Sequence, residues 1–325
     1  MHLRDLDVKA AAKGLARAAV TTVLLVAVTW RLDLAALARK ASSLDARWMA
    51  AAFLVVFAAV VISAWKWGLI LAWRRRPLPY RRLFRHYLVG LFFNNVLPTT
   101  VGGDAVRAWE AARDTGEVPE AVGSVITERL VAGAALGVTA LLGLPFVGVT
   151  PRLLVLVLSF LAIDLALVAA FLVPRVAEGV ATSVLPRRVS GVRATVSATV
   201  GVVRESVRAP RLFIRIVVLS VLFQLLVAAV NACLFQAMGV PVSLARCVVY
   251  TPMIFTVTML PVSLSGLGVR EAAYAYFFGQ SGVAQADAIA ASLLFFVIVG
   301  ISSLPGAPLF ALSRRRFLGA ERASR

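Results

Sequence analysis

VVLSVLFQLLVAAV, residues Val217 to Val230, is the stretch whose reading decides the fold class. Its apolar residues do not alternate with polar ones, as a strand of a transmembrane barrel would require. It sits inside an apolar segment over 211–237, longer than the roughly 20 residues that cross a bilayer as a helix. Working outward, further apolar segments fall at 15–30, 48–73, 83–97, 121–143, 152–173, 247–260, 266–279 and 286–312. With 60% hydrophobic residues in 325 and a mean hydropathy of +0.88, a soluble fold has too little interior to hide them. The sequence therefore predicts an all-α polytopic membrane protein.

The formal net charge of +18 comes almost entirely from arginine. RRRPLPYRRLFR, Arg74 to Arg85, holds six arginines and no acid. Other clusters are Arg187, Arg188 and Arg193, then Arg204, Arg208, Arg211 and Arg215, and finally Arg314 to Arg316. All border apolar segments, so the positive-inside rule and contact with anionic headgroups account for them, and no nucleic-acid partner is implied. Cys233 and Cys247 lie in apolar sequence without metal-ligand or redox spacing and read as small buried residues. The basic N-terminus before the run ending at Trp30 lacks a clear cleavage site and reads as a retained first helix.

Two segments are not simple crossings. The one at 83–97 starts among arginines and stops at Pro98 before Gly102 and Gly103, while 247–260 stops at Pro261 before Gly266 and Gly268. If both dip into the membrane and return, and both termini are cytoplasmic, every large arginine cluster falls on the cytoplasmic side. The loops at 31–47, 144–151, 238–246 and 280–285 then fall outside. The expected organisation is about six full spans plus two re-entrant broken-helix hairpins. A first half, 1–175, holds the hairpin 83–107, and a second half, 211–325, holds the hairpin 247–279. Between them, 176–210 reads as a cytoplasmic interfacial amphipathic helix or a solvated linker.

The two elbows resemble each other. LPTTVGGDAVRA from Leu97 and LPVSLSGLGVRE from Leu260 share Leu, Pro, Gly, Val and Arg in register. One enters from each side, the arrangement of inverted repeats, whose broken helices build a midplane site with helix N-termini aimed at an anion. Pro98 ends a helix, and Gly102 and Gly103 allow the turn and a close backbone approach. Irregular backbone at that depth must line a cavity or be covered by protein.

Charges mark the same places. Asp104, Arg107, Glu128, Arg129, Arg270 and Glu271 lie in or beside apolar segments, where a central charge costs on the order of 2.5–3.5 kcal/mol. The three-residue spacing puts Asp104 and Arg107 on one helix face, whereas neighbours such as Glu128 and Arg129 diverge and should reach other helices. Either these are internal ion pairs that fix packing, or Arg107, Arg129 and Arg270 hold a phosphate while Asp104, Glu128 and Glu271 orient them. Asn94 and Asn95 either touch ligand hydroxyls or satisfy carbonyls at the helix end, and Ser265, Gly266 and Gly268 complete the second elbow. His86 reads as a headgroup contact, and Trp65, Trp67, Trp73 and Tyr80 as an interfacial aromatic belt.

FFNNVLPTTVGGDAVRAWEAA, TERLVAGAALG and LPVSLSGLGVREAAYAYFF resemble the lysylphosphatidylglycerol synthase transmembrane domain family of flippase-like proteins. In its best-understood relatives this domain moves an aminoacylated phospholipid between leaflets. The resemblance implies a place on the lipid path for Asn94, Pro98, Gly102, Gly103, Asp104, Arg107, Glu128, Arg129, Pro261, Gly266, Gly268 and Glu271. Those relatives carry a soluble aminoacyl-transferring domain after the membrane part. Here the sequence ends at Arg325 after a basic tail, so synthesis of lysyl lipid is not expected.

The expected function is a cell-membrane lipid transporter, flippase or scramblase-like, with a phospholipid or polyprenyl-phosphate-linked glycan as cargo. No GxxxxGK[ST] is present, and neither a cofactor, a metal nor a catalytic residue is expected. The rival readings are a membrane-embedded enzyme on lipid-linked sugars and an accessory subunit of a partner synthase or glycosyltransferase. A homo-oligomer is compatible with any of them.

Overall fold

In the computed structural model, residues 43–97, 102–148, 150–173, 179, 190–259, 263 and 266–312 are described. Ten α-helices follow one another there: α1 (Ala46–Trp73), α2 (Tyr80–Val96), α3 (Gly102–Thr115), α4 (Val118–Gly143), α5 (Pro151–Leu172), α6 (Ser190–Arg208), α7 (Pro210–Ala237), α8 (Leu244–Thr258), α9 (Val269–Gly279) and α10 (Gln285–Ser303). Five stretches are long and apolar enough to cross a bilayer: Ala46–Trp73, Val118–Phe146, Pro151–Ala170, Pro210–Ala237 and Gln285–Leu312. They coincide with five of the six expected crossings. The sixth, at 15–30, lies outside the described residues. The chain is thus an all-α polytopic membrane protein.

Local chemistry sets several helix starts. Asp45 accepts the Arg47 N–H at 2.8 Å before α1, and Thr150 accepts the Leu153 N–H at 3.2 Å before α5, whose first residue is Pro151. Each satisfies a donor that the first turn leaves free. Proline also opens α7.

The long helices pack as a bundle in which α1 lies along α7 and both touch α4 and α10. At one end, Leu144, Leu153, Met238, Val240, Val242, Cys247 and Val283 share a core with partly buried Leu44 and Val147. Parts of all four loops expected outside thus gather at one end. Towards the other, Trp67, Leu71, Leu83, Ala108, Ala111, Ala121 and Val125 join α1 to α4. Ionic contacts dominate there. Arg74 donates to Glu120 at 2.7 and 2.8 Å and also pairs with Glu205, which ties α1, α4 and α6 together. The described part of the expected linker is α6, which buries Val200, Val202, Val203 and Ser206 and packs on α4, α5 and α7.

Candidate functional site

The first elbow is held by its own residues. α2 and α3 lie side by side in opposite directions, because His86 near the start of α2 bonds Glu110 at 2.7 Å and Asp114 at 3.0 Å near the end of α3. At the other end of the pair, Asn94 Oδ1 accepts the Gly103 N–H at 2.8 Å. A Cβ on Gly103 would stand 1.8 Å from the Gly90 carbonyl oxygen, so only glycine allows the two helices to approach this closely. Asn95 donates to the Leu91 carbonyl of its own helix at 3.0 Å, one of the two roles that the sequence leaves open for it.

This packing places α3 against α4 and assembles a charge cluster. Arg107 Nη1 donates to Glu128 Oε2 at 2.6 Å and Nη2 to Asp104 Oδ1 at 3.2 Å. Its guanidinium carbon lies 4.8 Å from the ring centroids of both Trp67 and Tyr87, and the residue is 2% exposed. Arg129 grips Asp104 with two parallel bonds, Nε to Oδ2 at 2.7 Å and Nη2 to Oδ1 at 3.0 Å. Lys66, 1% exposed in the middle of the bundle, stands 3.4 Å from Glu128 Oε1. As the helical geometry predicts, Asp104 and Arg107 pair with each other while Glu128 and Arg129 reach other helices.

Three formal cations thus meet two carboxylates. The Arg129 side chain remains 46% exposed although its partner Asp104 is buried, and among the described residues its Nη1 has no hydrogen-bond partner. It faces a cavity of about 220 Å³ between α1, α2 and α4 on one side and α7, α8 and α10 on the other. Val60, Leu91, Phe223, Phe255 and Phe295 contribute to a largely apolar wall, with Tyr87 and Gln224 as further polar groups. Arg129 is the charged residue of that wall.

The second elbow is organised differently. Glu271 turns back so that its Oε2 accepts the Gly268 N–H at 2.6 Å, with Gly268 at a φ of 81° that disfavours any residue with a side chain. Glu271 Oε1 then accepts from Arg270 Nη2 at 2.9 Å, from Arg270 Nε at 3.2 Å and from Ser292 Oγ at 2.9 Å. The Arg270 guanidinium lies 4.9 Å from the Phe296 ring. The neighbours Arg270 and Glu271 pair with each other, and the cluster is neutral. Gly266 has a φ of 74°. Ser265, Pro98 and Pro261 lie outside the described residues.

Two sequence readings are corrected here. Trp67 is fully buried and donates to Ser124 Oγ at 2.9 Å, so it does not belong to an interfacial belt, while Trp65, Trp73 and Tyr80 are exposed. His86 is buried between two carboxylates and does not point at headgroups. Burial acts to lower its pKa, but the hydrogen bonds to Asp114 and Glu110 outweigh this and hold it above the ordinary histidine value. The same contact with His86 holds the Asp114 carboxyl below its usual range. Lys66 was not singled out, although a lysine inside a 28-residue apolar helix is itself a signal.

The family model of the lysylphosphatidylglycerol synthase TM region matches residues 14–306. The chain belongs to that family. The lysylphosphatidylglycerol synthase TM region here contains both elbows, both polar clusters and the cavity between the helices. Membership in this flippase-like family and the all-helical membrane fold agree with a protein that handles lipid. No curated protein matches the chain at a significant level.

Proposed function

We propose that this protein moves an anionic lipid between leaflets, and that Arg129 receives the phosphate in the cavity between the two sets of helices. The observation that carries the proposal is the half-free guanidinium of Arg129 on a largely apolar wall, in a cluster whose formal charges sum to a surplus cation. A buried surplus charge is stabilised by an incoming anion, and an arginine with an unused edge offers it directional donors. The apolar wall suits the part of a lipid next to its headgroup. At about 220 Å³, the cavity is smaller than the roughly 300–1,000 Å³ that encloses a whole drug-sized ligand, so the acyl or prenyl chains stay in the bilayer.

In this reading α2 with α3, and α8 with α9, are two re-entrant hairpins of an inverted repeat. Two contacts support it: His86 with Asp114, and Tyr250 with Ser281 at 3.1 Å, each joining the first half of one helix to the end region of its partner. Asp104 aims Arg129 and Glu128 holds Arg107 beneath it. Arg270 and Glu271 rigidify the second hairpin and leave phosphate binding to the first. Phospholipids and polyprenyl-phosphate glycolipids share the group that Arg129 would recognise, so both fit the site.

Leaflet exchange of fluorescent anionic lipids in proteoliposomes tests this. Wild-type protein is expected to accelerate exchange, and Arg129→Gln to reduce the rate about tenfold or more, the worth of one charged hydrogen bond at 1.5–3 kcal/mol. Exchange no faster than in protein-free vesicles would overturn the transport reading. Unaltered exchange in Arg129→Gln would overturn the role of the residue.

A further inference from the structure

Asp164 lies apart from both clusters. It occupies α5, whose 22 residues span roughly 33 Å, so that Asp164 sits about 4 Å from the helix centre, at hydrocarbon depth. Its side chain is only 8% exposed, and Oδ2 is sealed from solvent without a hydrogen-bond partner among the described residues. Oδ1 is turned towards α4 at Gly133, where a Cβ would stand 3.7 Å away.

Among the described residues, the helices packed against α5 supply no counter-charge. On α4, Glu120 is held by Arg74, Glu128 by Arg107 and Lys66, and Arg129 by Asp104. On α6, Glu205 pairs with Arg74, and neither Arg204 nor Arg208 pairs with Asp164. On α8, Arg246, Cys247 and Tyr250 make no contact with it either. An ionised carboxylate with no partner at this depth costs on the order of 2.5–3.5 kcal/mol even on insertion scales. Taking up a proton removes most of that cost.

Gly133 and Arg129 are four residues apart and share one face of α4. Arg129 is therefore a single turn from the point where α5 presents Asp164. Resting on the transport reading above, we propose that Asp164 is a proton-binding site linked to the lipid site: its protonated form leaves Arg129 to the lipid phosphate, and its ionised form competes for Arg129 and favours lipid release. The step is a simple protonation, in which the carboxylate takes a proton from water as the acid forms and returns it to water as the lipid leaves. Proton and anionic lipid then bind together.

Infrared difference spectra of wild-type and Asp164→Asn protein in nanodiscs, combined with leaflet exchange measured across a range of pH, test the linkage. The expected result is a carboxylic-acid C=O band that grows as pH falls and is absent from Asp164→Asn. Wild-type exchange should rise several-fold as pH falls, and exchange by the folded Asp164→Asn variant should not depend on pH. An Asp164 band that stays that of the ionised carboxylate across the whole pH range, or the same pH profile in both proteins, would overturn the proposal. The infrared readout does not require lipid movement. An acid band in a wild-type protein that moves no lipid would therefore count against transport and the linkage together while confirming the proton site.

Discussion

The two elbows carry similar sequences, yet the first holds five charged side chains with a surplus cation and an open edge, whereas the second holds one arginine and one glutamate that neutralise each other. The cause is local. Glu271 follows Arg270 directly and is drawn back to cap Gly268, so acid and base meet within one helix turn. At the matching position after Arg107 stands Ala108, and the acid lies three residues earlier as Asp104. Arg107 must find Glu128 on α4, and Asp104 is left to hold Arg129 at the cavity. Similar sequences thus yield an open, charged arrangement at one elbow and a closed, neutral one at the other.

The largest expected effect that could break this contrast comes from Glu128→Ala, which strips Lys66 and Arg107 of their shared carboxylate. Removing one partner of a buried pair costs about 3–5 kcal/mol, so the detergent-solubilised protein should melt far earlier or fail to accumulate. A melting temperature close to wild type would show that the cluster is not held by charge. Next comes Gly103→Ala, which drives a methyl into the Gly90 carbonyl. It should splay α2 from α3 and abolish lipid exchange, while Gly201→Ala, in open space on α6, should leave exchange intact.

A sharper test of the difference between the elbows is Arg270→Gln. It should lower stability by about 1–3 kcal/mol through the lost charged hydrogen bonds but leave the rate of lipid exchange in the folded fraction within about twofold, a change of some 0.4 kcal/mol. A loss as deep as that of Arg129→Gln would erase the distinction.

The smallest effect is a pH dependence at the open ends of α2 and α3. The folded-state pKa of His86 is raised, so its contribution is complete below the ordinary histidine value of about 6.5 and disappears as pH climbs through the raised value. The folded-state pKa of Asp114 is lowered, so its contribution is present above the ordinary value of about 3.9 and is lost as pH falls through the lowered one. Thermal stability should therefore hold across the window between them, with His86→Gln removing the alkaline decline. A decline of equal size in His86→Gln would place its origin elsewhere.

Much of this was legible in the sequence because apolar length and helical spacing are properties of one segment at a time. The five described crossings, the Asp104–Arg107 pair and the divergence of Glu128 from Arg129 all follow from such local rules. What could not be read depends on which helix faces which. Nothing in the order of residues brings Asp104 to Arg129 on α4 or Lys66 on α1 to Glu128, since these meetings depend on the rotation of each helix about its axis. The same gap explains Trp67 and His86. Each lies in a segment with an amphipathic end, and only packing against Ser124 or Glu110 turns it inward.

Native mass spectrometry of the lipids retained by wild-type, Arg129→Gln and Arg270→Gln proteins extracted under identical mild conditions tests the contrast most directly. Wild type and Arg270→Gln should keep a phosphate-bearing lipid that Arg129→Gln loses. Equal retention by all three, or loss from Arg270→Gln alone, would contradict the assignment of the anion to the first elbow.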